Sequence, residues 1–184
     1  MVVPQLNPVP SGHTPEGGAL VGSVNARRRL VLFEDPQCPY CRRFEEASGD
    51  MLRREVAAGA VVVEYRMRCL LGRESVRADN ALALAAEGGR FDQLRMELFA
   101  AQPPEGSGGF SADDLVELGR RAGLTGTDFV SGVREGRYEA WVRERDEAFQ
   151  HDDPEGTPAA ILDEAPVPQQ VLYDPEALGA LIRG

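Results

Sequence analysis

The chain has 184 residues, 30 of them acidic and 20 basic, with a formal charge of −10 at pH 7. That balance excludes broad electrostatic attraction to nucleic acid or anionic lipid. Three cysteines are too few to staple a chain of this size, which is long enough to bury its own core as one domain or as one domain carrying an insertion. No apolar run approaches the roughly 18 residues of a membrane span. All 20 basic residues are arginine and isoleucine occurs only at Ile161 and Ile182, a bias of GC-rich coding.

The first 18 residues, MVVPQLNPVPSGHTPEGG, are rich in proline and glycine and read as a flexible linker, or a tether if the protein is exported with its signal or anchor upstream. RRLVLFED (28–35) is an apolar run bounded by charge, as in a buried strand. The cysteine pair follows it and opens a run of helix formers, with Phe44, Met51 and Leu52 available for one face and Gly59 as a stop. AVVVEYRMRCL (60–70) is β-branched and completes a βαβ unit.

From Ser75 to Gln150 the pattern turns helical in five segments, interrupted by the loop QPPEGSGG (102–109). Ser111 with Asp114 has the spacing of a capping box, and Gly123 suits a helix end. TPAAILDE (157–164) precedes VPQQVLY (167–173), expected as a second short strand, and DPEALGALIRG (174–184) closes as a helix. The expected divisions are a linker over 1–18, a βαβ half over 19–71, a helical insertion over 72–152 and a C-terminal part over 153–184.

Within FEDPQCPYCRRF, Cys38 and Cys41 flank Pro39 and Tyr40. A tetrahedral zinc site needs more ligands than this pair supplies, and Cys69, His13 and His151 form no second pair, so no metal is expected. A structural staple is weakly motivated, because so small a loop removes little chain entropy. Redox chemistry fits better: residues i and i+3 of a first helical turn lie about 5–6 Å apart, within disulfide reach. Cys38 at the helix N-terminus meets free N–H groups that favour its thiolate, which makes it the attacking sulfur. Pro39 suits the first helical position, and Cys41, one turn in, is the shielded resolving thiol. Arg42 and Arg43 follow as solvated arginines on the outer helix face. Cys69 reads as a buried inert thiol, and Trp141, Tyr138 and Phe149 as core anchors of the helical block. His151 is a minor candidate for proton shuttling, and Tyr40, Phe110 and Phe129 for apolar client-binding surface.

VLFEDPQCPYCRRFE resembles the active-site strand and helix of DsbA-like proteins of the thioredoxin superfamily, and Thr157-Pro158 resembles their cis-proline loop. The resemblance implies an α/β thioredoxin fold with a helical insertion between the βαβ unit and a cis-Pro, C-terminal ββα part. It implies a thiol:disulfide oxidoreductase that exchanges disulfides with cysteine-containing, partly unfolded proteins. Cys38 would be nucleophilic, Cys41 resolving, and Thr157 and Pro158 would hold the substrate, with no cofactor. An extracytoplasmic setting and a membrane redox recycling partner are implied as well, with a cytosolic setting left open. Family members often carry a buried glutamate six residues before the first cysteine, where this chain has Leu32. Glu34 shares its strand parity and is a candidate for proton handling, its alternative being a solvated acid at a strand end. The Pro39-Tyr40 dipeptide is shared with glutaredoxins. A disulfide reductase or isomerase, a glutathione-dependent enzyme and a non-catalytic thioredoxin-fold binding module therefore stand as rivals.

Overall fold

A computed structural model describes residues 9–150 and 156–184. Their strands, β1 (Ala19–Val21), β2 (Arg28–Glu34), β3 (Val61–Met67), β4 (Ala159–Leu162) and β5 (Ala165–Val167), form one sheet in the order β1-β3-β2-β4-β5. β2 and β3 are parallel, and every other pairing is antiparallel. Leu30 lies opposite Val63, Leu32 opposite Tyr65 and Glu34 opposite Met67. Because strand side chains alternate, these residues share one face, and all six are buried. The acid at the end of this apolar row is the unusual member, and it lies beside the cysteine helix.

That helix is α1 (Pro39–Phe44), continued through a π turn (Glu45–Gly49) into α2 (Asp50–Ala57). The extra residue of a π turn re-aims the helix and often marks a functional site. Gly49 makes room here for the Glu45 carboxylate, which Arg53 and Arg95 hold in place and which a Cβ at this position would approach to 2.5 Å. Phe44, Met51 and Leu52 are buried as their spacing predicts.

The helical block comprises α3 (Arg73–Glu87), α4 (Phe91–Ala100), α5 (Ala112–Arg121), α6 (Thr127–Glu135) and α7 (Glu139–Phe149). It lies between the βαβ unit and the β4–β5 hairpin in sequence, yet the main core is continuous from the sheet into α3, α4, α5 and α6. The expected capping box is formed: the Ser111 hydroxyl accepts from the Asp114 N–H at 3.1 Å, and Asp114 accepts from the Ser111 N–H at 2.9 Å. Trp141 and Phe149 are buried, and the Tyr138 hydroxyl donates to Glu87 at 2.7 Å.

Three expectations need correction. VPQQVLY is not a strand: β5 ends at Val167, and residues from Gln169 to Leu172 form α8, a single helical turn ahead of α9 (Pro175–Arg183). Pro168 has no N–H to offer the ladder, and Leu172 turns inward to complete burial. The linker does not run to residue 18, because Pro10, Thr14, Gly17 and Gly18 are buried and His13 bridges to Ala19. The His13 ring also stands 4.9 Å from that of Trp141; residues 1–8 lie outside the described residues. Phe110 and Phe129 are core residues and not client surface. Phe129 occupies the space above Gly119, where a Cβ would approach its ring to 2.1 Å.

Two buried arginines join this block to the end of β3. Arg145 pairs with Asp79, both 1 % exposed, and also donates to the Met67 carbonyl at 3.2 Å. Arg68 pairs with Asp146 at 2.7 Å. Removing one partner of a buried pair leaves an uncompensated charge, so Asp79→Ala should cost about 3–5 kcal/mol. Asp79→Leu combined with Arg145→Met should cost less, and urea unfolding of the two variants checks the order.

Candidate active site

Cys38 is the N-cap of α1, with extended backbone (φ −74°, ψ 119°), and Pro39 occupies the first helical position. The Cys38 N–H donates to the Asp35 carbonyl at 3.0 Å, while the Cys38 carbonyl accepts from Cys41 and Arg42 at 3.1 and 3.2 Å. The Thr157–Pro158 peptide is cis. Thr157 brings its carbonyl oxygen to Cys38, whose thiol donates to it at 3.4 Å. Residues 119 positions apart in sequence are thus brought together on one sulfur. Pro158 is buried, Thr157 half-buried, and Tyr40 projects outward with 56 % of its surface exposed.

The two sulfurs have different environments. Cys38 is 8 % exposed, whereas Cys41 is 0 % exposed and packs with Cys38 against Phe99. A hydrogen bond from the Cys41 thiol is the largest influence on Cys38; it is opposed by burial and aided by the Thr157 side chain and the N–H groups of Cys41 and Tyr40, lowering the pKa to about 6. The helix-end donors invoked from sequence therefore contribute, but the partner thiol leads. Burial pushes Cys41 well above the ordinary thiol value, followed by its hydrogen bond to Cys38 and the negative charge of Glu34.

Glu34 is not a solvated acid. It is 0 % exposed, because Arg95 of α4, itself 1 % exposed, covers it with two parallel hydrogen bonds at 2.6 and 2.7 Å. Burial raises the pKa of Glu34 against the opposing charge of Arg95. The third guanidinium nitrogen reaches Glu45 in the π turn at 2.7 Å, and the rings of Tyr65 and Phe99 lie 4.6 and 5.1 Å from the guanidinium carbon. Leu32, at the position where family members carry a glutamate, is an ordinary buried core residue.

Several supporting residues escape a sequence reading. Asp35 is buried, accepting from the Gln37 and Leu71 N–H groups at 2.8 and 3.2 Å and from the Ser75 hydroxyl at 2.7 Å. Burial lifts its pKa to about 6 despite those donors. Gln102, just past α4, donates to the carbonyls of Pro36 and Cys38 at 2.9 and 3.1 Å. Nothing in QPPEGSGG distinguishes that glutamine. Arg95 does leave a trace, since it stands four residues from both Phe91 and Phe99 and so lies on the apolar stripe of its helix. Cys69 is half-buried, a free thiol whose pKa burial and then Asp79 push up. Arg42 pairs with Glu46 at 2.8 Å, whereas Arg43 is exposed between the rings of Tyr40 and Tyr173. His151 lies outside the described residues.

No curated relative matches the chain in sequence. Among solved structures, it is similar to a disulfide bond oxidoreductase (DsbG) from Mycobacterium tuberculosis in reduced form. That match has 24 % identity and a TM-score of 0.80 over 92 % of this chain and 88 % of that one. DsbA from the same organism matches at 23 % identity and TM-score 0.78 over 90 % of each chain. The MdbA protein of Actinomyces oris, a thiol-disulfide oxidoreductase, matches at 19 % identity and TM-score 0.81 over 95 % of this chain and 88 % of that one. These likenesses establish the fold. A family model described as thioredoxin matches residues 14–183. That span takes in every element from β1 to α9, and the chain belongs to the thioredoxin family, with the DsbA-like fold expected from its sequence.

Proposed function

We propose that the protein is a thiol:disulfide oxidoreductase that exchanges disulfides with cysteine-bearing, partly unfolded protein chains, with Cys38 as nucleophile and Cys41 as resolving thiol. The observation that carries this reading is the placement of two free thiols one helical turn apart in unequal surroundings, Cys38 at the helix N-cap against the cis Thr157–Pro158 loop and Cys41 wholly buried behind it, which favours the thiolate at Cys38 and the thiol at Cys41. In the oxidising direction a client thiolate attacks the Cys38 Sγ of a Cys38–Cys41 disulfide. The Cys38–Cys41 bond breaks as the client–Cys38 bond forms, and Cys41 leaves as a thiolate that takes up a proton. A second client thiolate then attacks the client sulfur and expels Cys38 as its stabilised thiolate. The client has lost two electrons and two protons overall, and the dithiol enzyme carries the electrons.

Thr157 and Pro158 serve on this reading as the substrate-holding loop, with the Thr157 backbone next to the reacting sulfur. Glu34 handles the Cys41 proton: its burial raises its proton affinity and its charge acts directly on that thiol. Pro39 starts the helix and Tyr40 faces the client. The setting is extracytoplasmic, with a membrane redox partner restoring the disulfide. Among the described residues no helix is long and apolar enough to cross a membrane.

Three measurements test these assignments. The depressed Cys38 thiol stabilises the reduced fold fully above its unfolded pKa of about 8.5. This contribution fades as pH falls through about 6. The stability gap between reduced wild type and reduced Cys38→Ser, read from melting curves, should therefore shrink over that window; a constant gap removes the acidic nucleophile. Cys41→Ser keeps the nucleophile but loses the stored disulfide and the escape route. It should lose protein oxidation and accumulate client mixed disulfides through Cys38, whereas brisk glutathione-dependent turnover without trapped clients would favour the glutaredoxin-like rival. In a Cys38→Ser background, Glu34→Gln should speed alkylation of Cys41 and move its pH profile to lower pH, because a nearby negative charge is gone. An unmoved profile takes Glu34 out of the proton path.

A further inference from the structure

Tyr40 and Arg43 lie one turn apart on the outer face of α1, opposite the buried Cys41 and Phe44. Tyr173, in the turn between α8 and α9, comes up beside them, and its hydroxyl donates to the Tyr40 carbonyl at 3.4 Å. The Arg43 guanidinium carbon stands 5.8 Å from the centre of the Tyr40 ring and 5.7 Å from that of Tyr173. Among the described residues no carboxylate pairs with Arg43, although its neighbour Arg42 is taken by Glu46. Contact with two rings engages a guanidinium without satisfying its N–H donors, which suit the fork of a carboxylate. The cluster borders the sulfurs: after burial, the charges of Cys41 and Cys38 are what most raise the pKa of Tyr173.

A chain of net charge −10 repels acidic clients at long range, and an unpaired cation held by two rings on the cysteine helix offsets that repulsion where a client would react. Arg43 follows Cys38 by five residues, which amounts to a rise of about 7.5 Å along the helix axis and a turn of about 140° around it. An extended peptide covers that distance in roughly two or three residues.

We propose that Tyr40, Arg43 and Tyr173 form a client subsite that receives the carboxylate of an aspartate or glutamate about two or three residues from the reactive cysteine. The inference rests on the oxidoreductase reading and adds a sequence preference to it. The rings hold the guanidinium in place and shield the ion pair, and the placement of Arg43 just beyond the cysteine pair on α1 sets which client cysteine is presented.

The test is a single-turnover reaction of the full, oxidised protein with dithiol peptides that differ only in carrying Glu, Gln or Lys two or three residues to either side of the cysteine. Each rate constant for loss of the enzyme disulfide is measured at low and high salt. At one of these positions the Glu peptide should react about fivefold faster than the Gln peptide at low salt, as expected of an exposed ion pair. The Lys peptide should react more slowly than Gln, and salt should shrink the spread. Arg43→Gln should bring the Glu/Gln ratio to about one, and Arg43→Glu should put the Lys peptide ahead, both read as ratios within one variant. Equal Glu and Gln rates at every position, with all peptides oxidised by wild type, overturn the subsite and leave the oxidoreductase reading in place. An effect of Arg43→Gln confined to reaction with free glutathione, whose carboxylates offer the same chemistry, overturns the client assignment. Failure to oxidise any peptide overturns the oxidoreductase reading and the subsite with it.

Discussion

A carboxylate buried at the end of an apolar strand row demands a cation, and Arg95 meets that demand for Glu34. The pair need not add net stability, since two ions have been taken from water to make it. Its consequence is positional. Arg95 also holds Glu45 in the π turn and lies against Tyr65 of β3 and Phe99 of its own helix, so sheet, cysteine helix and insertion meet at one guanidinium. With α4 pinned there, Phe99 falls against the cysteine pair one turn later and Gln102 reaches the carbonyls of Pro36 and Cys38. The helical block therefore serves as the mount of the cysteine helix. Asp35, bound to the start of α3 through Leu71 and Ser75, makes a second attachment from the other side of the same loop.

This mount produces the asymmetry between the two sulfurs on which the proposed exchange depends. Cys38 sits where a helix has donors to spare and where the cis-proline loop closes over it. Cys41 sits one turn deeper, in a dry site that also contains the charge of Glu34. The hydrogen bond between the sulfurs amplifies the difference, since a donor that stabilises one thiolate has its own ionisation suppressed. Two identical side chains thus acquire opposite proton affinities from surroundings alone. The outer face of α1 adds a further contrast, with Tyr40 and Arg43 turned to solvent while Cys41 and Phe44 are turned inward, as a helical spacing of one turn requires.

The β4–β5 hairpin shows how local sequence and long-range contact share the work. Asp163 and Glu164 form its two-residue turn with positive φ at both positions, a conformation usually given to Asn or Gly. Asp163 compensates by accepting from the Arg29 N–H at 2.8 Å and pairing with Arg28, contacts that exist only once β4 lies beside β2. The hairpin in turn carries Thr157 and Pro158 to the cysteine helix. A strand signal read through VPQQVLY misses the break at Pro168, because β-branched and apolar residues serve a buried helical turn equally well.

What the sequence determined by itself was local and periodic: the apolar strands β2 and β3, the six longer helices of the insertion and C-terminus, the capping box at Ser111, and a cysteine pair at i and i+3 behind a proline-compatible helix start. Each depends on residues within a turn or two of one another, so spacing alone reveals it. Glu34 shows the limit. Its parity was legible, but whether it met water or Arg95 depended on a helix 61 residues away. The same holds for Gln102 on the cysteine loop, for Tyr173 beside Arg43 and for the burial of Phe110, Phe129, Pro10, Thr14, Gly17 and Gly18. Burial, pairing and proton affinity are properties of what surrounds a side chain, and only the packing of distant segments supplied those surroundings.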